Sequence, residues 1–160
     1  MKKGIILAFV AACCIAGCAR GGAATASAAD AQDTVAEMSE IPYVVADRYF
    51  VRNDVDSLPS AKIDSQEMLD SCFGMATVMG ENGRPTEIDF SRQYAIVVDM
   101  PVTDVATELM PVGLEKDGEG NVVFSYRVER GEKQSYSIRP LLMVVVDRRY
   151  DGNVVLREVE

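Results

Sequence analysis

The chain has four cysteines, Cys13, Cys14, Cys18 and Cys72, and no histidine. The missing imidazole removes the commonest general base near neutral pH and the commonest metal ligand together. Cys72 therefore cannot form the usual Cys–His nucleophile, and on the face of a predicted short helix it reads as a small buried apolar residue. Ser60-Ala61-Lys62 has the spacing of a Ser–Lys dyad, in which a desolvated lysine deprotonates the serine. It lies in a polar turn beside Pro59, where the lysine is expected to stay solvated and protonated. Asp117, Glu119 and Asn121 alternate like the first oxygen ligands of a calcium loop. Val122 then stands in place of the sixth-position glycine and Val128 in place of the final bidentate acid, so a hairpin turn is expected instead. Asp99 and Asp104 flank Pro101 and could, with Glu108, meet at one end of a sheet, but acid–base work needs one carboxyl pKa raised by burial or repulsion. Arg139 precedes Pro140 within a strand-like run, and a bend there would project it beside Tyr136. Exposed Arg and Tyr are typical binding anchors, so these two are the candidate interaction residues. No catalytic residue, metal ligand or cofactor site is assigned, and the expectation is a non-enzymatic protein.

Three of the cysteines lie in an N-terminal segment with its own logic. Lys2-Lys3 precede "GIILAFVAACCIAG", Gly4 to Gly17, an apolar run of 14 residues. It is shorter than the ~20 residues that span a bilayer as a helix and reads as a secretory signal. Its end, Ile15-Ala16-Gly17-Cys18, resembles the lipobox of bacterial lipoproteins. That resemblance implies removal of residues 1–17, Cys13 and Cys14 included, and diacylglyceryl transfer to the Cys18 thiol. Two or three acyl chains suffice for stable anchoring. A competing cut after "ASA", Ala26 to Ala28, would leave eleven residues including Arg20 between the apolar run and the cleavage site. Neither an aspartate directly after Cys18 nor an acidic cluster follows. The expected location is thus the cell envelope, on the outer membrane facing the periplasm if the source is Gram-negative. Residues 18–40 are rich in Ala, Gly, Ser and Thr and read as a tether, with an r.m.s. reach of about 25 Å.

Charge narrows the partners. Lys and Arg total 16 against 25 Asp and Glu, a formal −9, and loss of Lys2 and Lys3 takes it to −11. Such a chain repels nucleic acid and anionic headgroups. The basic residues Arg127, Arg130, Arg148 and Arg149, with Glu129 among them, read as strand-edge charges that discourage edge pairing.

Residues 41–160 read as one domain. "IPYVVADRYFVRND" predicts a long strand with Tyr43, Val45, Tyr49 and Val51 on one face. Asp64-Ser65 supplies an N-cap for a helix carrying Met68, Leu69, Cys72 and Phe73, ended by Gly74. Asn82-Gly83 signals a hairpin or tight loop. "YAIVVDM" is a strand limited by Pro101, and Ala106 to Leu114 alternates weakly around Pro111. Val122, Phe124, Tyr126 and Val128 form the cleanest alternating strand, Arg130 to Lys133 reads as a turn, and the second half of "QSYSIRPLLMVVVD" as a central strand with a bulge or a sheet-switching bend at Pro140. Asp151-Gly152-Asn153 is expected to close a last hairpin. The fold class is α+β, mostly β: a curled antiparallel sheet or small sandwich of six to seven strands with one short helix.

"IDFS", Ile88 to Ser91, followed by the apolar Tyr94 to Val98, is similar to the C-terminal domain of protease-complex accessory lipoproteins, the PrcB-like family. The similarity extends from Glu87 to Asp147, although "MPVTDVATEL" lacks the glycine-rich turn that the family places after its first strand. It implies a lipid-anchored accessory module associated with an envelope protease or another envelope protein. A small-ligand-binding or inhibitor-like β domain is the second expectation, and an enzyme the third.

Overall fold

A computed structural model of the chain describes residues 39–79 and 83–160. The signal segment, Cys18, most of the tether and Asn82 lie outside the described residues. In chain order the elements are β1 (Ser39–Glu40), β2 (Tyr43–Val45), β3 (Tyr49–Val51), β4 (Lys62–Ile63), α1 (Gln66–Cys72), β5 (Phe73–Met75), β6 (Gln93–Asp99), β7 (Thr103–Lys116), β8 (Val122–Ile138) and β9 (Leu141–Asp147). A 3-10 turn (Arg148–Tyr150) and β10 (Val154–Glu158) complete the chain. The domain is mostly β with one α-helix, as the spacing of its strand and turn signals predicts. It has ten strands among the described residues rather than six or seven, because several strands are only two or three residues long.

The strands form two four-stranded sheets, β1-β7-β8-β10 and β2-β9-β6-β4, and a two-stranded pair, β3-β5. The second sheet is the middle layer. One of its faces, with Tyr94, Ile96, Val98, Leu142, Val144 and Val146, packs on Leu114, Val122 and Phe124 of the first sheet. Its other face, with Ile63, Ala95, Val97, Met143 and Val145, packs on Val51, Leu69, Cys72 and Phe73. β6 and β9 are therefore buried on both sides, which is why their sequences are continuously apolar rather than alternating.

Ser65 caps α1, its hydroxyl accepting from the Met68 amide at 3.3 Å. The helix stops at Cys72 rather than at Gly74, because Phe73 takes extended backbone and opens β5. Gly74 then lies opposite Phe50, whose ring covers it: a Cβ built there falls 2.3 Å from Phe50 Cζ.

Four further expectations are corrected. The strand predicted from Ile41 to Asp54 is broken, with β2 in the middle sheet and β3 in the small pair. The corner is Arg48, at φ 69°, a left-handed conformation that costs a non-glycine residue about 1–2 kcal/mol. It is held by the Arg48 carbonyl accepting from Ala76 at 2.9 Å and by the Asp47 amide donating to Thr86 Oγ1 at 3.0 Å. Pro111 does not interrupt β7; it sits beside a register shift, on a strand whose outer side is covered only near its end. Arg130 to Lys133 is not a turn but part of the 17-residue β8, where the register against β7 slips. Lastly, β10 forms no hairpin with β9; it crosses to the first sheet and runs parallel to β8, Val154 opposite Val122. At Arg139-Pro140, by contrast, the second of the two expected alternatives holds, a bend that carries the chain from one sheet to the other.

That crossing depends on Gly152, where a Cβ would fall 2.6 Å from the carbonyl oxygen of Gly120. Backbone cannot swing aside, so Gly152→Ala is expected to cost about 1–3 kcal/mol. Gly74→Ala meets only a ring that is 48% exposed and can rotate outward, so its cost is expected to be below about 1 kcal/mol. Urea midpoints of the two full-length variants test this ranking, and the reverse order would refute it.

Candidate interaction surface

The candidate chemical groups of the sequence are dispersed rather than gathered at one site, and most of them are paired internally. Arg139 does not project into solvent beside Tyr136. Its side chain is 19% exposed and turns inward, Nε donating to Asp99 Oδ1 at 2.9 Å and Nη2 to Asp99 Oδ2 at 2.6 Å. The same guanidinium donates to the carbonyls of Val55 and Asp56. It thus ties the end of β6 and the loop after β3 to the point where the chain changes sheets, and the Asp99 carboxylate holds it more firmly protonated than an ordinary arginine. Asp99 is consequently not one of a carboxylate pair with Asp104, which binds Lys133 at 2.8 Å. Glu108 faces Glu129 across the β7–β8 ladder.

Lys62 is committed elsewhere than to Ser60. Its backbone amide donates to Ser60 Oγ at 3.0 Å, but its ammonium binds the Asp151 carboxylate and lies 4.9 Å above the Tyr94 ring. The side chain is only 23% exposed, so the expected solvated lysine is an ion-paired one. In the 117–121 turn, Asp117 Oδ1 accepts from the amides of Glu119 at 2.9 Å and Asn121 at 2.8 Å, and Oδ2 from Asn121 Nδ2 at 2.8 Å. This carboxylate closes a hairpin whose Gly120 has φ 87°. Cys72 is buried. Among the described residues no three Asp, Glu or Cys side chains are grouped to hold a metal ion.

What the fold does expose is a ribbon. β1 pairs with β7 only at Glu115 and Lys116, and β10 pairs with β8 only from Val122 to Tyr126. Among the described residues, Thr103–Gly113 on one side and Arg127–Ile138 on the other have no further strand neighbour. Register shifts interrupt this ribbon, one between Val105 and Thr107 opposite Arg130 and Lys133, another between Thr103 and Val105 opposite Lys133 and Ile138. Such bulges re-aim side chains. Here they help to form a groove of about 390 Å³ lined by Glu108, Glu129, Arg130, Gln134, Tyr136 and Ile138. Tyr136 stands 60% exposed at this groove, and the buried Oε1 of Gln134 meets no donor. Tyr136 is thus where an interaction residue was expected, without Arg139 beside it. Gln134 and the ribbon itself escaped the sequence reading, because Gly131 among charged residues looks like a turn.

No family model, no curated protein and no solved structure matches the chain.

Two outcomes separate structural from surface roles. Arg139→Ala should cost about 2–4 kcal/mol, since it strands the mostly buried Asp99 carboxylate, and Arg139→Lys should recover little of it because a lysine cannot make the bidentate pair. Tyr136→Ala should stay within about 0.5 kcal/mol of the parent. Chemical denaturation reads both, and a Tyr136→Ala loss as large as that of Arg139→Ala would make Tyr136 a core residue.

Acid dependence follows from four carboxylates held below their usual range, Asp54 chiefly by its hydrogen bond from Arg52, Asp89 by that from Ser91, Asp117 by that from Asn121 and Asp151 by that from Lys62. A carboxyl more acidic folded than unfolded stabilises the fold above its unfolded pKa, and that contribution disappears as pH falls through the folded value. Stability from these groups is therefore constant at neutral pH and falls below about pH 4. Asp151→Asn should lower neutral stability and flatten the acid limb of a stability-against-pH curve; an unchanged limb would place the acid loss elsewhere.

Proposed function

We propose that this chain is an exported lipoprotein, acylated at Cys18, whose domain works without enzymatic chemistry as a binding or accessory module in the cell envelope. The observation that carries the reading is the contrast within the domain. Groups capable of chemistry are spent on internal pairs, while the ribbon leaves two strand edges and Tyr136 available. Open strand edges bind extended segments of other proteins by adding a strand, with side-chain grooves supplying selectivity. A tether of some twenty residues after Cys18 would hold that ribbon clear of the membrane. The partner class is another envelope protein, a protease being the version suggested by the PrcB-like similarity. Nucleic acid is disfavoured by the net charge.

The alternative of an apolar ligand enclosed by a curled sheet has less support, because Tyr94, Phe124, Ile96 and Leu114 fill the space between the two large sheets. The anchor is tested in a bacterial host fed an alkyne-bearing palmitate analogue. The full-length chain should take up label, and its mature mass should begin at an acylated Cys18. Cys18→Ser should be unlabelled and leave the membrane fraction. A mature protein beginning at Ala29, unlabelled and soluble, would overturn the lipoprotein reading.

A further inference from the structure

The open edges of the first sheet are not alike. The ribbon edges are broken by register shifts and, on β7, by Pro111, features that restrict which strands can add there. β10 carries no such device. It is the outermost strand of its sheet, and its five residues pair with β8 in unbroken register from Val154 opposite Val122 to Glu158 opposite Tyr126. None of the five is proline or glycine. Two of its side chains are exposed apolar ones, Val155 at 38% and Leu156 at 36%, one on each face of the sheet. From these observations we infer that β10 is a homodimerisation edge, with a second copy of this chain continuing the sheet through an antiparallel β10–β10 contact.

The backbone selects the register. The Val122 amide donates to the Asn153 carbonyl and the Val159 amide to the Tyr126 carbonyl, each at 2.8 Å, so bonding alternates and residues 153, 155, 157 and 159 are turned toward β8. Val154, Leu156 and Glu158 therefore point both their amides and their carbonyls away from it, where no strand lies among the described residues. A two-fold axis normal to the sheet at Leu156 makes each residue i face 312 minus i of the second copy. Leu156 then meets itself and Val154 meets Glu158, so every outward amide and carbonyl of β10 finds a partner. An axis at Val155 or Arg157 leaves one of the three outward residues without a partner inside β10, and the Arg157 choice also opposes two guanidiniums. Because β10 is free of bulges, the residues paired across the axis share one face of the sheet, as the contact requires.

The side chains agree with that register. Leu156 packs on Leu156 at the axis, Val155 lies beside the aliphatic stem of Arg157, Val154 meets Glu158, and no like charges are directly opposed. The exposed apolar residues are thus the ones the contact covers. The contact is short, and it draws on the anchored-module reading for one thing only, the high local concentration of tethered copies.

The test is disulfide trapping of the full-length chain in bacterial membranes, read on non-reducing gels against the parent chain, whose Cys72 is buried. Leu156→Cys places two thiols across the axis and should give a dimer band under mild oxidation. Val154→Cys and Glu158→Cys should each stay monomeric, because like positions lie about 14 Å apart in this register, yet co-expressed they should cross-link to each other. In that co-expressed pair, Leu156→Lys in both chains opposes two ammonium groups at the axis and should reduce the trapped fraction about tenfold. Leu156→Lys in one chain with Leu156→Glu in the other should restore it. Monomer for Leu156→Cys and for the mixed pair, cross-linking of Val154→Cys to itself, capture of a different protein in place of a second copy, or indifference to Leu156→Lys would each overturn the inference. Should the chain prove unanchored, the same bands can be read from concentrated soluble protein, so the dimer and the lipoprotein reading fail separately.

Discussion

The pairing of β6 with β9 is the constraint on which the remaining elements depend. Seven registered pairs, from Gln93 opposite Asp147 to Asp99 opposite Leu141, form a strand pair with apolar side chains on both faces. Neither face can be left in water, and each fully buried Val, Ile or Leu is worth about 1.5–3 kcal/mol. That exceeds the roughly 0–1 kcal/mol of an exposed ion pair such as Lys133–Asp104, so the covering layers are recruited by burial and only adjusted by charge. One cover is the long β7–β8 hairpin. The other is assembled from α1, β3 and β5, none of which exceeds seven residues.

Covering both faces with one chain requires abrupt changes of direction, and the polar groups are concentrated where those changes occur. Pro140 ends the ladder of the first sheet at the bend, and Arg139 beside it collects Asp99 and two loop carbonyls. Lys62 performs the same service at the other crossing, joining β4 to Asp151 just before β10 changes sheets. Partly buried charges are stabilised when paired and hydrogen-bonded, so Arg139, Asp99 and Lys62 are committed to the bends of the backbone. Residues that look reactive in the sequence are, on this fold, joints.

Legibility in the sequence follows the range of the interaction that decides each element. A helix N-cap within Asp64-Ser65, the 117–121 turn and the period-two run from Val122 are fixed by residues within a few positions, and they are legible in the sequence. The doubly apolar β6 and β9 are equally plain, since their burial is written into every side chain. What failed was decided at a distance. The break at Arg48 is held by Ala76 and Thr86, and Gly74 is needed by Phe50 rather than by the helix it follows. The partner of β10 is chosen by a close approach of Gly152 to Gly120, which no hairpin signal contains. Arg139 looked like a surface anchor for the same reason, because Asp99 is forty residues away in sequence.

The β7–β8 ribbon shows why a stable domain can carry open edges at all. Near the body, β1, β10 and the core hold the hairpin, and Leu114, Val122 and Phe124 are fully buried. Beyond Tyr126 the side chains of β8 are largely exposed and charged, so this half adds little to the core. Its sequence is correspondingly free to vary without unfolding the protein. An unpaired edge on such a ribbon invites any extended segment, and bulges and charges are the ordinary means of refusing most of them.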